Sequence, residues 1–301
     1  MTDNKQYKAP LDHLLNPGHS ACAGCGMIIA YRLVLDTAGR NTIALGATGC
    51  SEVTTSRYPM SSFKVPWFHS VFENAASIAT GVEAALKQRG EDKTTNIIAF
   101  GGDGATFDIG LIHLSGMWER GDNILYVCFD NEAYQNTGYQ GSGSTPLNAN
   151  TSTTPPGKKS FGSSQVKKDM IGVALAHSLP YVATASVAYP LDLIAKVKTA
   201  LTVEGPKYLQ IYCPCVPGWG IDSNKTVEVA KLATQSGLYP NVEYVNGERT
   251  KTQKITKRVE VGDFLKLQKR FKHLYKDNGG KVEIAKIQKI ADTNIDKYGL
   301  V

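Results

Sequence analysis

A strand-length apolar run, Asn96 to Phe100 (NIIAF), empties without a linker into Gly101-Gly102-Asp103-Gly104, and a helical pattern follows from about Ile109. That order confines the chain to folds in which a parallel strand delivers a glycine-rich turn to a helix start. The glycines let backbone approach a phosphate closely, the amides at the helix start favour an anion, and Asp103 offers a hard oxygen to a divalent cation. A second buried-strand run, Ile124 to Phe129, ends in Asp130 and the segment NEAYQNTG. Mg²⁺ takes one or two protein oxygens plus substrate phosphates, so Asp103, the Asn131 side chain and a nearby backbone carbonyl make a sufficient set. A bare Gly-Asp-Gly is ordinary turn chemistry. Its placement between two strands, with Asn131 29 residues after Gly102, favours Mg²⁺ and a diphosphate.

Six cysteines stand at 22, 25, 50, 128, 213 and 215. The start MTDNKQYKAP is no secretory signal, so a disulfide framework is not the expectation and metal or cluster ligation is. A Cys-x-x-Cys pair with two distant single cysteines can supply the four thiolates of a [4Fe–4S] cluster. Structural zinc is the rival, but it usually shows two close ligand pairs, and Cys213-Pro214-Cys215 is too tight for the second. Cys128, inside the run Ile124 to Phe129, reads as a small hydrophobe with no role.

The Gly-Asp-Gly to asparagine pattern resembles the motif by which thiamine diphosphate enzymes hold Mg²⁺ and the diphosphate. With Cys22-Ala-Gly-Cys25-Gly26, Ala47-Thr48-Gly49-Cys50-Ser51 and Cys213-Pro214-Cys215 in the same chain, the sequence resembles the β subunit of a 2-oxoacid:ferredoxin oxidoreductase, most closely the pyruvate type, from about His19 to Trp219. The resemblance implies Cys22, Cys25, Cys50 and Cys215 as the [4Fe–4S] ligands, with Cys213 the rival for the fourth. It maps Mg²⁺ onto Asp103, the Asn131 side chain and the Ala133 carbonyl, with Gly102 and Gly104 flanking the diphosphate. It places Thr48, Gly49, Cys50 and Ser51 against the cofactor, so that one turn touches both redox groups. Asn136 then falls near the thiazolium and the substrate carboxylate, as a catalytic amide.

The 301 residues are 42% hydrophobic, enough for one large core. Helices are expected near Met27–Ala38, Glu73–Lys87, Ile109–Arg120, Asp169–Ala176 and Leu191–Leu201. Strands are expected near Thr42–Leu45, Asn96–Phe100, Ile124–Phe129, Tyr181–Ala185 and Tyr208–Tyr212. Their alternation predicts an α/β fold, a doubly wound and mostly parallel sheet with helices on both faces and ligands at the carboxyl ends of the strands. Residues 137–164, rich in Gly, Ser, Thr and Pro, read as a mobile surface loop or a lid over the cofactor or at a subunit contact. Residues 1–221 are expected to form the diphosphate-binding domain. Residues 222–301 form a basic extension, packing on that domain or on partner subunits; they hold 16 Lys plus Arg against 10 Asp plus Glu, while the first 221 residues balance at 17 against 17. Such a bias steers acidic partners or keeps a surface helix solvated. No nucleic-acid motif accompanies it, and no apolar run is long enough for a membrane span. The expected location is cytoplasmic.

Thiamine enzymes activate the cofactor with a carboxylate from a second domain of similar size, for which this chain has no room. The resemblance therefore implies an α subunit supplying that pyrimidine-side domain and its glutamate, further γ/δ-type subunits with iron–sulfur clusters, and ferredoxin as acceptor. The implied reaction is oxidative decarboxylation of a 2-oxoacid, pyruvate with coenzyme A as the best guess, and the β chain alone should be inactive. A related assembly acting on oxalate or another 2-oxoacid, a non-redox thiamine diphosphate decarboxylase or synthase component, and a structural zinc protein are the alternatives. Acid-labile sulfide and bound thiamine diphosphate separate them.

Overall fold

The computed structural model describes residues 12–301; the opening MTDNKQYKAP lies outside the described residues. The chain's strands form one sheet, and its central strands β4, β5 and β6 are buried along their whole length, which calls for helices on both faces. Parallel neighbours run β2 (Trp67–Ser70), β1 (Thr42–Ala47), β3 (Asn96–Gly102), β4 (Leu125–Asp130), β6 (Lys207–Tyr212) and β5 (Tyr181–Ser186). Antiparallel β7 (Val242–Val245) and β8 (Glu248–Thr252) extend the β5 edge. Along β4, Leu125, Val127 and Phe129 join the core under α1 (Gly26–Ala38) and α6 (Pro190–Thr202). Tyr126 and Cys128 join the opposite core under α3 (Ala75–Arg89), α4 (Leu111–Glu119) and α5 (Met170–Ala176). Burial of each such large side chain contributes about 1.5–3 kcal/mol relative to exposure.

From β1 the chain goes to β2 on one side and to β3 on the other, so neighbouring connections diverge at the carboxyl ends of β1 and β3 and leave a crevice there. Beneath that crevice Tyr31 packs between Phe100 and Phe129, with ring centroids 4.4 and 4.8 Å away. This aromatic floor fixes the height of the β3 and β4 ends.

Three features go beyond the sequence reading. The helix after β3 begins at once, as a π-helical turn over Gly104–Asp108, and α4 continues from Leu111, so backbone amides sit closer to Asp103 than a start at Ile109 allows. Residues 144–148, in the middle of the 137–164 segment, are fastened to the domain, while 157–161 stay exposed. Ser144 and Thr145 are buried, Ser144 Oγ donates to Asp130 at 2.5 Å, Thr145 Oγ1 donates to the Glu132 carbonyl at 2.8 Å, and Asn148 donates to Glu283 at 2.9 Å. Ser142, Ser144 and Thr145, three of the hydroxyls that give the segment its loop composition, donate to buried acceptors. Residues 222–301, finally, supply β7 and β8 to the sheet, α8 (Thr226–Gln235), α9 (Val261–Lys266), a 3₁₀ helix (Lys269–Tyr275) and α10 (Asn278–Tyr298). Phe264, Leu265, Phe271, Leu274 and Ile287 join the α1-side core. Among the described residues no helix is long and apolar enough to cross a membrane.

Because 139–151 is pinned by buried bonds while Lys158 and Lys159 are exposed, limited trypsin digestion followed by mass spectrometry should cut this segment first after Lys158 or Lys159. First cleavage at Lys167, whose ammonium is bonded to Asp130 and Glu132, would contradict the packing described.

Candidate active site

Four strand ends meet at the crevice. β1 delivers Thr48 and Gly49 to the short helix α2 (Cys50–Val53), β3 delivers Gly102 to Gly104, β4 delivers Asn131 to Asn136, and β6 delivers Cys213 to Cys215 ahead of α7 (Val216–Trp219). A cavity of about 280 Å³ is lined by Thr48, Gly49, Cys50, Ser51, Gly102, Asp103, Gly104, Asn131, Ala133 and Asn136. All ten residues expected around the cofactor therefore share one cavity. Met27, Phe72, Phe129, Tyr134, Gln135 and Thr137 complete its wall; of these, Tyr134, Gln135 and Thr137 lie in the NEAYQNTG segment that had drawn attention, and Met27, Phe72 and Phe129 carry no sequence signal beyond hydrophobicity.

At the cavity's polar end the Asn131 side-chain oxygen lies 2.8 Å from Asp103 Oδ1 and 2.9 Å from the Ala133 carbonyl oxygen. In this orientation the Asn131 oxygen faces two acceptors. Turning the Asn131 amide over would make two hydrogen bonds, but these spacings also match the edge of a Mg²⁺ octahedron, which is about 2.9 Å when the ligands stand at about 2.0–2.1 Å. Asp103 is 1% exposed. Burial, and then the neighbouring Asp130 carboxylate, pushes its carboxyl well above the usual range, whereas a divalent cation would favour the ionised form. Its second oxygen accepts from Ser142 Oγ. Gly102 lines the same cavity, yet a Cβ there would have no protein atom within 4 Å. Its bareness is not explained by the protein's own packing and leaves room for a ligand. At Gly104 the reason lies inside the protein, since a Cβ would sit 2.3 Å from the Tyr134 ring. The oxygen set and the bare glycine fit Mg²⁺ and a phosphate-bearing group.

A second cavity, of about 210 Å³, is lined by Cys22, Cys25, Cys50, Cys213 and Cys215. Met27, Cys50, Asn131, Gln135 and Asn136 line both cavities and form the wall between them. Cys22 is exposed, Cys25, Cys50 and Cys215 are partly exposed, and Cys128 and Cys213 are buried. Burial pushes the Cys25 thiol up, the Cys50 thiol to about 11 and the Cys215 thiol to about 12, with other members of the set 22, 25 and 50 adding to each shift. Asn136 acts against this at Cys50 by hydrogen bonding to the sulfur. Cys213 is 1% exposed in the core, and its electrostatic neighbours are Cys25, Asp130, Cys128 and Asp103. The thiols ring the cavity without gathering on a point. Among the described residues no three His, Cys, Asp or Glu side chains cluster as single-ion ligands, whereas tetrahedral zinc draws thiolates to about 3.8 Å of one another, given Zn–S bonds of about 2.3 Å.

Behind the Asn131–Ala133 turn lies a buried ionic network the sequence did not announce. Lys167 Nζ bonds Asp130 at 2.6 Å and Glu132 at 3.1 Å, and Arg270 Nη2 bonds Glu132 at 2.5 Å. Burial pushes Glu132 up, but Lys167 and Arg270 outweigh it and hold the carboxyl below its ordinary value. Burial alone would lower Lys167, and the two carboxylates raise it. Thr48 Oγ1, at the cavity's other side, meets His69 Nε2 at 2.9 Å.

A parallel sheet with this oxygen cluster and bare glycine at its carboxyl edge defines the diphosphate-holding domain of a thiamine-dependent enzyme, and the family model "Thiamine pyrophosphate enzyme, C-terminal TPP binding domain" matches residues 47–211. The chain is 50% identical to pyruvate synthase subunit PorB of Methanosarcina barkeri, over 95% of this chain and 97% of that protein. It is 44% identical to PorB of Thermotoga maritima, over 92% and 89%, and 42% identical to ketoisovalerate oxidoreductase subunit VorB of Pyrococcus abyssi, over 91% and 90%. The chain belongs to this family of β subunits of thiamine diphosphate-dependent 2-oxoacid:ferredoxin oxidoreductases, and it is thus one subunit of a larger enzyme. The solved 2-oxoglutarate:ferredoxin oxidoreductase from Magnetococcus marinus shares the fold, with a TM-score of 0.58 and 24% identity over 73% of this chain and 79% of that one.

With thiol pKa values of about 11 and about 12, the thiolate fractions of Cys50 and Cys215 at pH 8 are on the order of 10⁻³ and 10⁻⁴. In cluster-free protein, iodoacetamide should therefore label exposed Cys22 first at pH 8, with Cys50 and Cys215 gaining label only above about pH 10. Equal labelling at pH 8, read by peptide mass spectrometry, would contradict the burial assigned to them.

Proposed function

We propose that this chain binds Mg²⁺–thiamine diphosphate and a [4Fe–4S] cluster side by side, as the electron-collecting subunit of an enzyme that oxidatively decarboxylates a 2-oxoacid. The observation that carries the reading is the shared wall: the oxygen-lined cavity and the thiol-ringed cavity meet at Cys50 and Asn136. Pyruvate, with coenzyme A as acyl acceptor, is the proposed substrate, because relatives named for pyruvate reach 50% identity against 42% for the ketoisovalerate relative. Ferredoxin is the proposed acceptor, reached through clusters on γ/δ-type partner subunits in the cytoplasm.

Bound thiamine diphosphate supplies a carbon nucleophile for the keto carbon and an electron sink once CO₂ has left. This chain's residues do the positioning. Asp103, the Asn131 amide oxygen and the Ala133 carbonyl hold the cation that neutralises the diphosphate, and Gly102 leaves the backbone bare beside it. Thr48, Gly49 and Ser51 cover the opposite side, while Met27, Phe72 and Phe129 exclude water from the reacting end. Asn136 directs an amide toward the substrate side, and Cys50 brings a cluster ligand to the same wall, which keeps the electron's path short. Cys22, Cys25 and Cys215 complete the ligand set, and Cys213 remains a core thiol. Among the described residues the cavity's one carboxylate, Asp103, is committed to the cation. The carboxylate that activates the cofactor therefore comes from a partner α subunit, and the chain alone is inactive.

The test uses the chain produced with its partner subunits. Asp103→Ala should lose bound thiamine diphosphate yet keep this chain's cluster spectrum. Gly102→Ala should do the same with stability within about 0.5 kcal/mol of the parent, since its Cβ meets no protein atom. Cys215→Ala should lose about four irons per chain, the content of one cluster, and Cys213→Ala none. Cluster loss in Asp103→Ala, or iron loss in Cys213→Ala instead of Cys215→Ala, would overturn the assignment.

A further inference from the structure

Of the basic side chains in residues 222–301, Arg270 alone is buried, at 5% exposure. A buried guanidinium is costly unless its partners are well placed, and these partners lie on the two turns that carry the proposed cofactor sites. Glu132 stands between Asn131 and Ala133 with φ of 64°, a left-handed conformation that a side chain disfavours and that persists only where its surroundings hold it. Arg270 Nη2 meets its carboxylate at 2.5 Å. The same guanidinium lies 3.9 Å from the centre of the Trp219 ring, a stacked cation over an aromatic face. Trp219 in turn donates its indole N–H to the Asn131 carbonyl at 2.9 Å, and its backbone N–H donates to the Cys215 carbonyl at 3.0 Å. Arg270 is itself held in place, because its Nε donates to Gln268 Oε1 at 2.8 Å and its carbonyl accepts from the Asn150 amide at 3.0 Å. Lys167 braces Glu132 from the other side, but its second bond goes to Asp130; it does not reach Trp219 by any bond or stack described here.

We infer that Arg270 is a positioning residue for both cofactor sites: through Glu132 it sets the Asn131–Ala133 oxygens, and through Trp219 it sets the Cys215 turn, so that the C-terminal segment holds the two sites in register. The inference rests on the proposed function, which assigns Mg²⁺ and the cluster to those turns. An Arg→Lys change separates the two arms, since an ammonium can still pair with Glu132 but cannot stack as a flat guanidinium on Trp219.

The test measures Mg²⁺-dependent thiamine diphosphate binding, and the electron paramagnetic resonance spectrum and midpoint potential of this chain's cluster, in the complex carrying Arg270→Gln or Arg270→Lys. Arg270→Gln is expected to weaken thiamine diphosphate binding about 10- to 100-fold, as loss of an outer-shell partner does, and to alter the cluster signal. Arg270→Lys is expected to recover most of the binding while the cluster signal stays altered; if the Gln variant does not assemble, this split in the Lys variant decides. A lowered melting temperature with both cofactor readouts unchanged would make Arg270 a purely structural residue and overturn the inference. A parent complex that binds no thiamine diphosphate would instead overturn the proposed function beneath it.

Discussion

The Asn131 side-chain amide stands 2.8 Å from Asp103 Oδ1 and 2.9 Å from the Ala133 carbonyl oxygen, and the rest of the site is arranged around that gathering of polar groups. Asp103 and Asp130 add two carboxylates buried near each other, and burial and Asp130 both push the Asp103 carboxyl up. Positive charge is required on both sides. Behind the turn, Lys167 and Arg270 supply it from within the protein. In front, the open cavity leaves room for the Mg²⁺ proposed above.

The sheet explains why these groups meet at all. β1, β3, β4 and β6 run parallel, so their carboxyl ends finish on one edge, and one residue of register decides whether a side chain enters the cavity or the core. Cys213 and Cys215, two residues apart past the end of β6, both border the thiol-lined cavity, the first buried and the second partly exposed at the head of α7. The proposed redox coupling needs no separate device. It follows from β1 and β4 ending side by side around β3, with Cys50 and Asn136 turned into one wall.

Much of this was legible in the residues. The strand runs NIIAF and Ile124 to Phe129 were continuous enough to be read as buried parallel strands, and the glycines, Asp103 and Asn131 fell at their ends because a turn there needs small residues and a ligand needs oxygens. The spacing of the cysteines raised the expectation of a cluster, and Cys22, Cys25, Cys50, Cys213 and Cys215 do line one cavity. What escaped depends on tertiary context. β2 is only four residues, Trp67–Ser70, and takes its register from β1. The β7–β8 hairpin carries its turn at Asn246-Gly247, a signal present in the sequence but masked by the strongly charged Glu248–Thr252 strand, whose residues are mostly exposed. The 137–164 segment looked mobile because hydroxyl-rich composition does not tell a solvated loop from one whose hydroxyls donate to buried carboxylates. Arg270 was hidden among 16 tail cations, and nothing local distinguishes the one that folds inward.

The account's central claim is that one chain carries both cofactors at adjoining cavities. The most direct measurement is iron, acid-labile sulfide, zinc and thiamine diphosphate per copy of this chain, in the anaerobically purified complex and in the chain separated from its partners. About four irons and four sulfides retained by the separated chain, with about one thiamine diphosphate per copy in the complex, is the predicted result. Zinc without sulfide, or thiamine diphosphate without iron on this chain, would contradict it.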